Sequence, residues 1–341
     1  MQLSDFDYEL PEELIAQTPI EPRDASRLLI LDKQSGAVTH SHFARLPEIL
    51  RAGDVLVFND TRVIPARLRA RKVTGGQVEI FLLKRLEPMT WEALIGGKNI
   101  KPGARLQLDG EPDLSAEVIE QLEGARRVVR FSKPISPLLS TLGEMPLPPY
   151  IHTRLDDPNR YQTVYAQKAG SAAAPTAGLH FSAEILKRLD ELGVLGAFVT
   201  LHVGLDTFQP VGTATVENHK MHGEWCEIRG EAVQAVNAAK REGRRVIAVG
   251  TTSVRVLETA AQHARANQIV SSFSGVTDIF IYPGYSFKAV DGLITNFHLP
   301  KSTLLMLVSA LTGREHILAA YEAAKRERYR FYSFGDSMLI V

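Results

Sequence analysis

The chain has 341 residues, with 39 Lys and Arg against 39 Asp and Glu, and 45% of its residues are hydrophobic. This balance excludes a protein coated with basic charge and a chain too polar to bury a core. The single cysteine, Cys226, excludes an internal disulfide, and the longest apolar stretch, residues 304–311, is far shorter than the ~20 residues of a membrane-spanning helix.

Four short apolar runs each end in a cluster of polar side chains. In chain order, the runs 55–58, 197–201, 246–249 and 293–294 precede the clusters 59–62, 202–204, 250–255 and 295–298. A continuous apolar run is typical of a parallel strand that is buried on both faces. Because ligands of parallel sheets bind beyond the carboxyl ends of the strands, the clusters predict one shared polar site and an enzyme.

Residues 63–150 have a different pattern from the rest of the chain. Short strands are predicted at 77–83, 91–95, 105–108, 116–120 and 127–131, with glycine-containing turns between them. This pattern predicts a small antiparallel barrel or sandwich, and the proline-rich stretch 145–150 marks its end. We therefore expect an α/β domain made of residues 1–62 and 151–341, interrupted by an inserted β-barrel domain at 63–150.

The inserted segment carries a stripe of arginines. Arg67, Arg69 and Arg71 alternate with apolar residues, so a strand would place all three on one face. Between residues 63 and 133 there are 13 Lys and Arg against 9 Asp and Glu, a net charge of +4. Such a face could follow a phosphate backbone, although solvated strand faces often have the same composition.

The second half alternates predicted strands with predicted helices, which favours an α/β domain. Ser182 is placed to cap a helix whose apolar residues Ile185 and Leu189 share one face. Ser302 opens a nearly all-apolar helix that must be buried, and Gly313 closes it. The barrel-like α/β main domain and the inserted β-barrel are together the predicted fold class.

Histidines gather near the predicted strand ends and turns of this half: His180, His202, His219, His222 and His298. Histidine suits proton transfer because its ordinary pKa lies near neutral pH. The spacing of His219, His222 and Cys226 matches no usual zinc signature, so we predict no metal. The chain also lacks the glycine-rich dinucleotide fingerprint after a strand and the P-loop motif.

Several long segments, read together, resemble the S-adenosylmethionine:tRNA ribosyltransferase-isomerase family of queuosine biosynthesis. The matching segments are RDASRL (23–28), GDVLVFNDTRVIPARL (53–68), AAPTAGLHF (173–181), TLHVGLDTFQPV (200–211), MHGEW (221–225), VIAVGTTSVRVLE (246–258), IYPGY (281–285), TNFHLPKSTLLMLVSA (295–310) and YRFYSFGDSM (329–338). They span nearly the whole chain in order. One departure is Asp206, where the family usually has glycine, which puts the backbone path there in question.

The resemblance implies a reaction in which S-adenosylmethionine, as co-substrate, supplies its ribosyl group rather than its methyl group. The implied acceptor is the aminomethyl group of 7-aminomethyl-7-deazaguanine at the wobble position of a tRNA with a GUN-type anticodon. Adenine and methionine leave, and epoxyqueuosine forms. The chemistry consists of proton transfers without a redox step, which suits histidines and carboxylates without a metal. We expect a cytoplasmic monomer that does not contact a membrane.

Within this reaction each candidate residue has an expected role. The acid–base candidates are His180, His202, His222 and His298, and the carboxylates that orient or assist them are Asp60 and Glu224. The residues expected at the amino-acid end of S-adenosylmethionine are Thr251, Thr252, Ser253 and Arg255. Asn296 and Phe297 are the candidates for recognition of adenine or deazaguanine, and Arg67, Arg69 and Arg71 for contact with the anticodon stem-loop.

Three alternatives stay open at this point. A methyltransferase would use the same co-substrate, but a Rossmann-type enzyme should carry a glycine-rich loop after its first strand. A non-catalytic tRNA-binding protein would leave the proton-transfer groups at the strand ends unexplained. A metabolic α/β-barrel enzyme acting on a phosphorylated sugar is the third. Release of adenine in the presence of modified tRNA separates the first interpretation from all three.

Overall fold

The structure is a computed structural model, and it describes residues 1–97, 100–204 and 211–341. Asp206, the departure noted in the sequence, lies outside the described residues. No helix in the described part of the chain is both long enough and apolar enough to cross a bilayer.

The described residues form eighteen strands and seven α-helices. The strands are β1 (Arg27–Leu31), β2 (Val38–His42), β3 (Val55–Asn59), β4 (Thr61–Val63), β5 (Arg67–Lys72), β6 (Gln77–Arg85), β7 (Thr90–Ile95), β8 (Arg105–Leu108), β9 (Ser115–Gln121), β10 (Arg126–Phe131), β11 (Gly143–Glu144), β12 (Lys168–Ser171), β13 (Leu195–Leu201), β14 (Glu224–Ile228), β15 (Val246–Val249), β16 (Phe273–Thr277), β17 (Gly292–Asn296) and β18 (Ser337–Ile340). The helices are α1 (Leu46–Ile49), α2 (Leu139–Leu142), α3 (Ala183–Glu191), α4 (Gly230–Arg241), α5 (Thr251–Gln262), α6 (Thr303–Thr312) and α7 (Arg314–Arg326).

The chain divides into two units. The first comprises Met1–Thr61, Pro148–Lys168 and Pro175–Val341, and the second comprises Arg62–Leu147 and Ala169–Ala174. The second unit thus includes a short return segment that the sequence did not indicate. That each unit folds as an independent domain stays a prediction.

The first unit is a mixed α/β structure built on a nine-stranded sheet with the order β16-β14-β13-β3-β15-β17-β18-β1-β2. The four apolar runs of the sequence are its neighbouring strands β13, β3, β15 and β17, and each adjacent pair of these is parallel. Every residue of β3, β15 and β17 is buried. The predicted parallel strands are therefore confirmed, and the polar clusters that follow them lie at one edge of the sheet.

Helix α3 covers the sheet with the apolar face that the sequence predicted. Ile185 and Leu189 join a core cluster that includes Phe58, Ile247 and Ile294 from the central strands. The hydroxyl of Ser182 accepts a hydrogen bond from the backbone N–H of Ile185, as expected of an N-cap.

Helix α6 is capped in the same way as α3. The hydroxyl of Ser302 accepts a hydrogen bond from the backbone N–H of Leu305. The side chains from Leu305 to Ser309 are buried, as the apolar sequence predicted. The helix ends at Thr312, and Gly313 follows with a φ of 95°, a conformation that favours glycine.

The second unit is the predicted antiparallel barrel. Its strands pair in the order β5-β6-β7-β10-β9-β8, and an additional pairing of β5 with β8 closes the ring. The short strand β11 adds to β5. Alternate residues of β5, Leu68 and Ala70, point inward and are buried. The fold class predicted from the sequence, a mixed α/β unit with an inserted β-barrel, is confirmed.

Cys226, the single cysteine of the chain, lies in the middle of β14. It pairs with Leu201 of β13 on one side and with Gly275 of β16 on the other. Its side chain is fully buried, and burial raises the pKa of its thiol to about 12. Because the thiol is buried and stays protonated, Cys226 acts as a small apolar residue of the core.

Candidate active site

Asn59 fastens the ends of β3 and β13 to each other. Its side-chain amide donates to the backbone carbonyl of Leu201 at 3.0 Å, and its side-chain oxygen accepts from the backbone N–H of Leu201 at 3.0 Å. The same oxygen accepts from the backbone N–H of Thr61 at 3.1 Å. These three bonds hold the Asn59 side chain between the ends of β3 and β13, so its role is to fix the position of the two strands.

His202 follows β13 and is held from two sides. Its Nδ1 lies 2.7 Å from the hydroxyl of Thr61, and its ring stacks on Trp225 with 5.1 Å between the ring centres. Burial lowers the pKa of His202 to about 4, and the positive charge of Lys168 lowers it further while Glu227 opposes this. The imidazole is therefore neutral at pH 7 and able to accept a proton.

Asp60 lies in the same group of side chains. It is buried, and its carboxylate accepts a hydrogen bond of 2.6 Å from the hydroxyl of Thr200. The ammonium group of Lys168 lies 4.0 Å from the Asp60 carboxylate and 3.1 Å from that of Glu227. This edge of the sheet thus holds an imidazole, an ammonium group and two carboxylates.

His180 ends a 3₁₀ turn, Thr176–His180, and is buried. Its Nδ1 lies 2.8 Å from the hydroxyl of Ser26. Burial lowers the pKa of His180 to about 3, and the side chain of Asn296 acts in the opposite direction. His180 Nε2 and the side-chain oxygen of Asn296 are both buried and make no other hydrogen bond among the described residues, so the interaction between these two side chains is the one that partners them.

His298 follows β17 and is anchored on both its ring and its backbone. Its Nε2 lies 2.8 Å from the hydroxyl of Thr295, and its backbone N–H donates to the hydroxyl of Tyr321 at 2.8 Å. Burial lowers the pKa of His298 to about 3. The bond to Thr295 and the anchored backbone fix the orientation of the ring, as single bonds to Ser26 and Thr61 do for His180 and His202.

Glu224 and Arg255 form a buried ion pair, with side chains only 7% and 6% exposed. Glu224 also accepts from the backbone N–H of Gly204 at 2.9 Å, and Arg255 donates to the carbonyl of Thr277 at 3.3 Å. The Arg255 charge is thus neutralised inside the protein. A carboxylate of a ligand would have to displace Glu224 to reach it.

The amino end of helix α5 follows β15 at the same edge of the sheet. The hydroxyl of Ser253 donates back to the carbonyl of Val249 at 2.8 Å. The hydroxyl of Thr252 is buried and has no partner. Thr251 is buried, and Gly250 precedes the helix without a side-chain cap. Thr252 is the hydroxyl of this group that remains available to a ligand.

Two further candidates differ in their surroundings, since one is a core side chain and the other is exposed to solvent. The ring of Phe297 is 0% exposed and packs against the rings of Tyr321, Tyr329 and Phe331, which are the contacts of a core side chain. The side chain of His222 is exposed to solvent. The roles predicted for these two residues stay predictions.

The arginine stripe of β5 is paired with carboxylates inside its own unit. Arg67 lies 3.6 Å from Glu79, Arg69 lies 2.7 Å from Glu144 and Arg71 lies 3.0 Å from Asp109. The predicted alternation is present, because Arg69 and Arg71 are exposed while Leu68 and Ala70 are buried. Each guanidinium must share its charge with a neighbouring carboxylate, which reduces the positive potential of the face.

No group of three or more His, Cys, Asp or Glu side chains is arranged to hold a metal ion among the described residues. The structure also adds residues that the sequence reasoning did not single out: Ser26, Thr61, Lys168 and Trp225. Ser26 and Trp225 lie within the conserved-looking segments RDASRL and MHGEW, so those segments contained a signal. Nothing in the sequence indicated Lys168, because the carboxylates that it contacts, Asp60 and Glu227, are far from it along the chain.

Comparison with known proteins agrees with the segments found in the sequence. The family model described as "Queuosine biosynthesis protein" matches residues 3–340. Proteins named S-adenosylmethionine:tRNA ribosyltransferase-isomerase from Acetivibrio thermocellus and Carboxydothermus hydrogenoformans are each 56% identical over 344 residues, covering 100% of both chains. The crystal structure of S-adenosylmethionine tRNA ribosyltransferase from Thermotoga maritima is 40% identical, with a TM-score of 0.58 over 99% of this chain and 100% of that one. The chain belongs to the queuosine biosynthesis protein family.

Proposed function

We propose that this protein is an S-adenosylmethionine:tRNA ribosyltransferase-isomerase. The observation that carries this proposal is identity of 56% along the full length of relatives that bear this name. The edge of the sheet supports it, because it gathers neutral imidazoles and carboxylates without a dinucleotide or phosphate-binding loop.

In the proposed reaction the ribosyl group of S-adenosylmethionine is transferred to the aminomethyl nitrogen of 7-aminomethyl-7-deazaguanine in tRNA. The sulfonium acidifies the adjacent ribose CH₂, so a base can remove a proton there. Adenine leaves with a proton at a ring nitrogen, methionine leaves from the sulfonium, and a ribose hydroxyl loses its proton as the epoxide of epoxyqueuosine closes. Removal of the CH₂ proton, loss of adenine and closure of the epoxide each move a proton, and the amine loses a proton as its nitrogen bonds to the ribosyl carbon. No step needs an external redox partner.

Of the acid–base candidates, His202 and His180 have the better surroundings. Burial lowers both pKa values and keeps both imidazoles neutral at pH 7. It also makes each ring a weaker base, and each imidazolium a stronger acid, than a free imidazole, so a proton taken up here is readily passed on. We assign Asp60 to positioning at the same strand ends, because it accepts from Thr200 and lies 4.0 Å from the ammonium group of Lys168, whose charge also acts on His202. We assign His298 and Glu224 to positioning, through Thr295 and Arg255.

The other assignments are carried forward as parts of the same proposal. Thr251, Thr252 and Ser253 are placed near the amino-acid end of S-adenosylmethionine, with the unpartnered hydroxyl of Thr252 as the contact. We assign Asn296 to recognition of a base, for which its side-chain oxygen would exchange the ring of His180 for the ligand. The tRNA is one with a GUN-type anticodon, and the enzyme is proposed to act in the cytoplasm as a monomer without a metal.

The first test mixes the purified protein with S-adenosylmethionine and tRNA carrying 7-aminomethyl-7-deazaguanine, and quantifies the small-molecule products. We expect adenine and methionine in equal amounts, and none with the same tRNA lacking the modified base. S-adenosylhomocysteine in their place would make the protein a methyltransferase and overturn the proposal. Turnover that survives treatment with a chelator supports the absence of a metal.

A second test addresses His202. His202→Ala should lower kcat by ~10²–10⁴ if the imidazole transfers a proton in the slow step. His152, which is exposed, provides a matched control, and His152→Ala should leave kcat unchanged. Equal kcat values for both variants would remove His202 from the mechanism.

A further inference from the structure

Two arginines face a small cavity that the assignments above leave unused. The cavity has a volume of about 20 Å³, and its lining includes Arg23, Arg160, Leu179, His180, Ser333 and Gly335. A space of ~10–15 Å³ on this measure holds about one water molecule. The cavity therefore admits one or two oxygen atoms of a ligand and is too small for a nucleobase.

The two guanidinium groups are fixed by the protein before any ligand binds. Arg23 donates to the backbone carbonyls of Leu179 at 3.2 Å and Asn159 at 3.0 Å. Arg160 lies 3.1 Å from the carboxylate of Glu21, which is 74% exposed. Planar guanidinium groups held in this way are suited to bind a carboxylate or a phosphate.

The positive charges of Arg23 and Arg160 repel each other. Burial lowers the pKa of Arg23, and the charge of Arg160 lowers it further, while Glu21 and Asp157 act against this. The charge of Arg330 also acts on the nearby His180. Because like charges held together in a partly buried space raise the free energy of the protein, an anion between them would be stabilising.

His180 lines the same cavity and is 4% exposed. Its Nδ1 lies 2.8 Å from the hydroxyl of Ser26, and its ring also interacts with the side chain of Asn296. The ring is therefore held by the protein, and the groups of the cavity that suit an anion are the guanidinium groups of Arg23 and Arg160.

Two sequence segments without an assigned role meet here. RDASRL supplies Arg23 to the lining, and YRFYSFGDSM supplies Ser333 and Gly335. Gly335 is required by the turn itself, since a Cβ atom at this position would lie 2.4 Å from the carbonyl oxygen of Arg330. Because Gly335 has no side chain, the backbone of residues 330–335 can turn closely enough for Ser333 and Gly335 to line the cavity.

We propose that this cavity binds one oxyanion of the substrates, with Arg23 and Arg160 as the cations that hold it. The identity of this oxyanion rests on the proposed function, because the proposed substrates offer two candidates. One source is the carboxylate at the methionine end of S-adenosylmethionine, and the other is a phosphate of the tRNA. At this cavity the competing carboxylate is that of Glu21, which is 74% exposed, whereas the Glu224 carboxylate that occupies Arg255 is buried.

The test measures equilibrium binding with Arg160→Gln, using S-adenosylmethionine without tRNA and the modified tRNA without S-adenosylmethionine. Loss of a charge-assisted bond should weaken one of the two ligands by about 10- to 100-fold. Weaker binding of S-adenosylmethionine alone identifies the carboxylate, and weaker binding of tRNA alone identifies a phosphate. Arg160→Lys keeps the charge but loses the planar fork, so its affinity should be intermediate.

Arg45→Gln is the matched control, because it removes the same charge from an arginine that is 64% exposed and pairs only locally with Glu48. It should change neither affinity. Unchanged binding of both ligands by folded Arg160→Gln overturns the inference. If Arg160→Gln does not fold, Arg160→Lys is measured in the same assay, and unchanged binding of both ligands by this variant overturns the inference.

A third measurement separates this inference from the proposed function. Inorganic phosphate should raise the Tm of the unmodified protein, and Arg160→Gln or Arg160→Lys should reduce that shift. A phosphate-dependent shift together with no binding of either substrate would reject the proposed function and retain the anion site. Equal phosphate-dependent shifts in the unmodified protein and in both variants would reject the site.

Discussion

His180 and His298 are buried imidazoles that the folded protein keeps uncharged. Burial lowers both pKa values to about 3, whereas an imidazole in the unfolded chain has a pKa of about 6.5. The unfolded chain therefore binds more protons than the folded protein between these values. The stability that depends on this difference is complete above pH 6.5 and declines as the pH falls towards 3.

We predict that the free energy of unfolding decreases between pH 6.5 and pH 5 by about 1.4 kcal/mol per pH unit for each of the two imidazoles. Urea unfolding at pH 7, 6 and 5 measures it. His180→Gln and His298→Gln should each reduce the slope, while His152→Gln, at an exposed position, should not. Slopes that are equal in all three variants would contradict the prediction.

The buried pair of Glu224 and Arg255 gives a second prediction at this scale. Glu224→Gln leaves the Arg255 charge buried without its counter-ion, which should lower the free energy of unfolding by about 3–5 kcal/mol. Adding Arg255→Met removes the unpaired charge, so the double variant should be more stable than Glu224→Gln alone. A double-mutant cycle in urea measures the coupling, and additive effects would argue against a direct pair.

At the scale of single elements, strand β5 presents arginines that are exposed but already paired. Arg69 is 71% exposed and lies 2.7 Å from Glu144. An exposed ion pair of this kind contributes only about 0–1 kcal/mol to folding. The Arg69 guanidinium can therefore leave Glu144 for another anion at little cost in stability. Whether it meets RNA can be tested without disturbing the barrel.

If Arg69 contacts a phosphate of tRNA, Arg69→Gln should make the slope of log K against log salt less negative by about 1. Glu144→Gln is the informative counterpart, because it removes the competing carboxylate and should strengthen tRNA binding. Filter binding at several salt concentrations gives both slopes. Unaltered slopes in the two variants would leave β5 as an ordinary solvated strand.

The α-helices show which features can be read from sequence. Ser182 and Ser302 were predicted as caps, and both accept the expected hydrogen bonds, because a cap depends on residues only a few positions away. The roles of Arg255 and Phe297 could not be read in this way. Their contacts, Glu224 for Arg255 and Tyr321 for Phe297, are 31 and 24 positions distant along the chain.

For the whole molecule, the sequence was sufficient for the fold class and for the position of the polar edge. Buried parallel strands need continuous apolar residues, so β3, β13, β15 and β17 were visible as runs. Their order in the sheet was not visible, because each parallel connection passes through other elements. The return of Ala169–Ala174 to the second unit left no local signal for the same reason.

In the sheet of the first unit, the central strands should be much more stable against local opening than the outermost strand, β2. Strands β3 and β17 are buried throughout, whereas β2 is an edge strand with exposed residues. We predict that amides of β3 and β17 exchange with solvent only on global unfolding and that those of β2 exchange through local opening. Hydrogen-exchange mass spectrometry of peptides covering these strands measures the difference, and equal rates would contradict it.

The placement of Cys226 gives the protein a built-in reporter of its own opening. The chain holds one thiol, and that thiol lies fully buried between β13 and β16 with a raised pKa. A thiol reagent can therefore label the folded protein only after β14 separates from its neighbours. The rate of labelling, read as a single mass increment, follows the opening of the strand that carries Glu224 and Trp225, and a bound substrate that holds this strand closed would slow it.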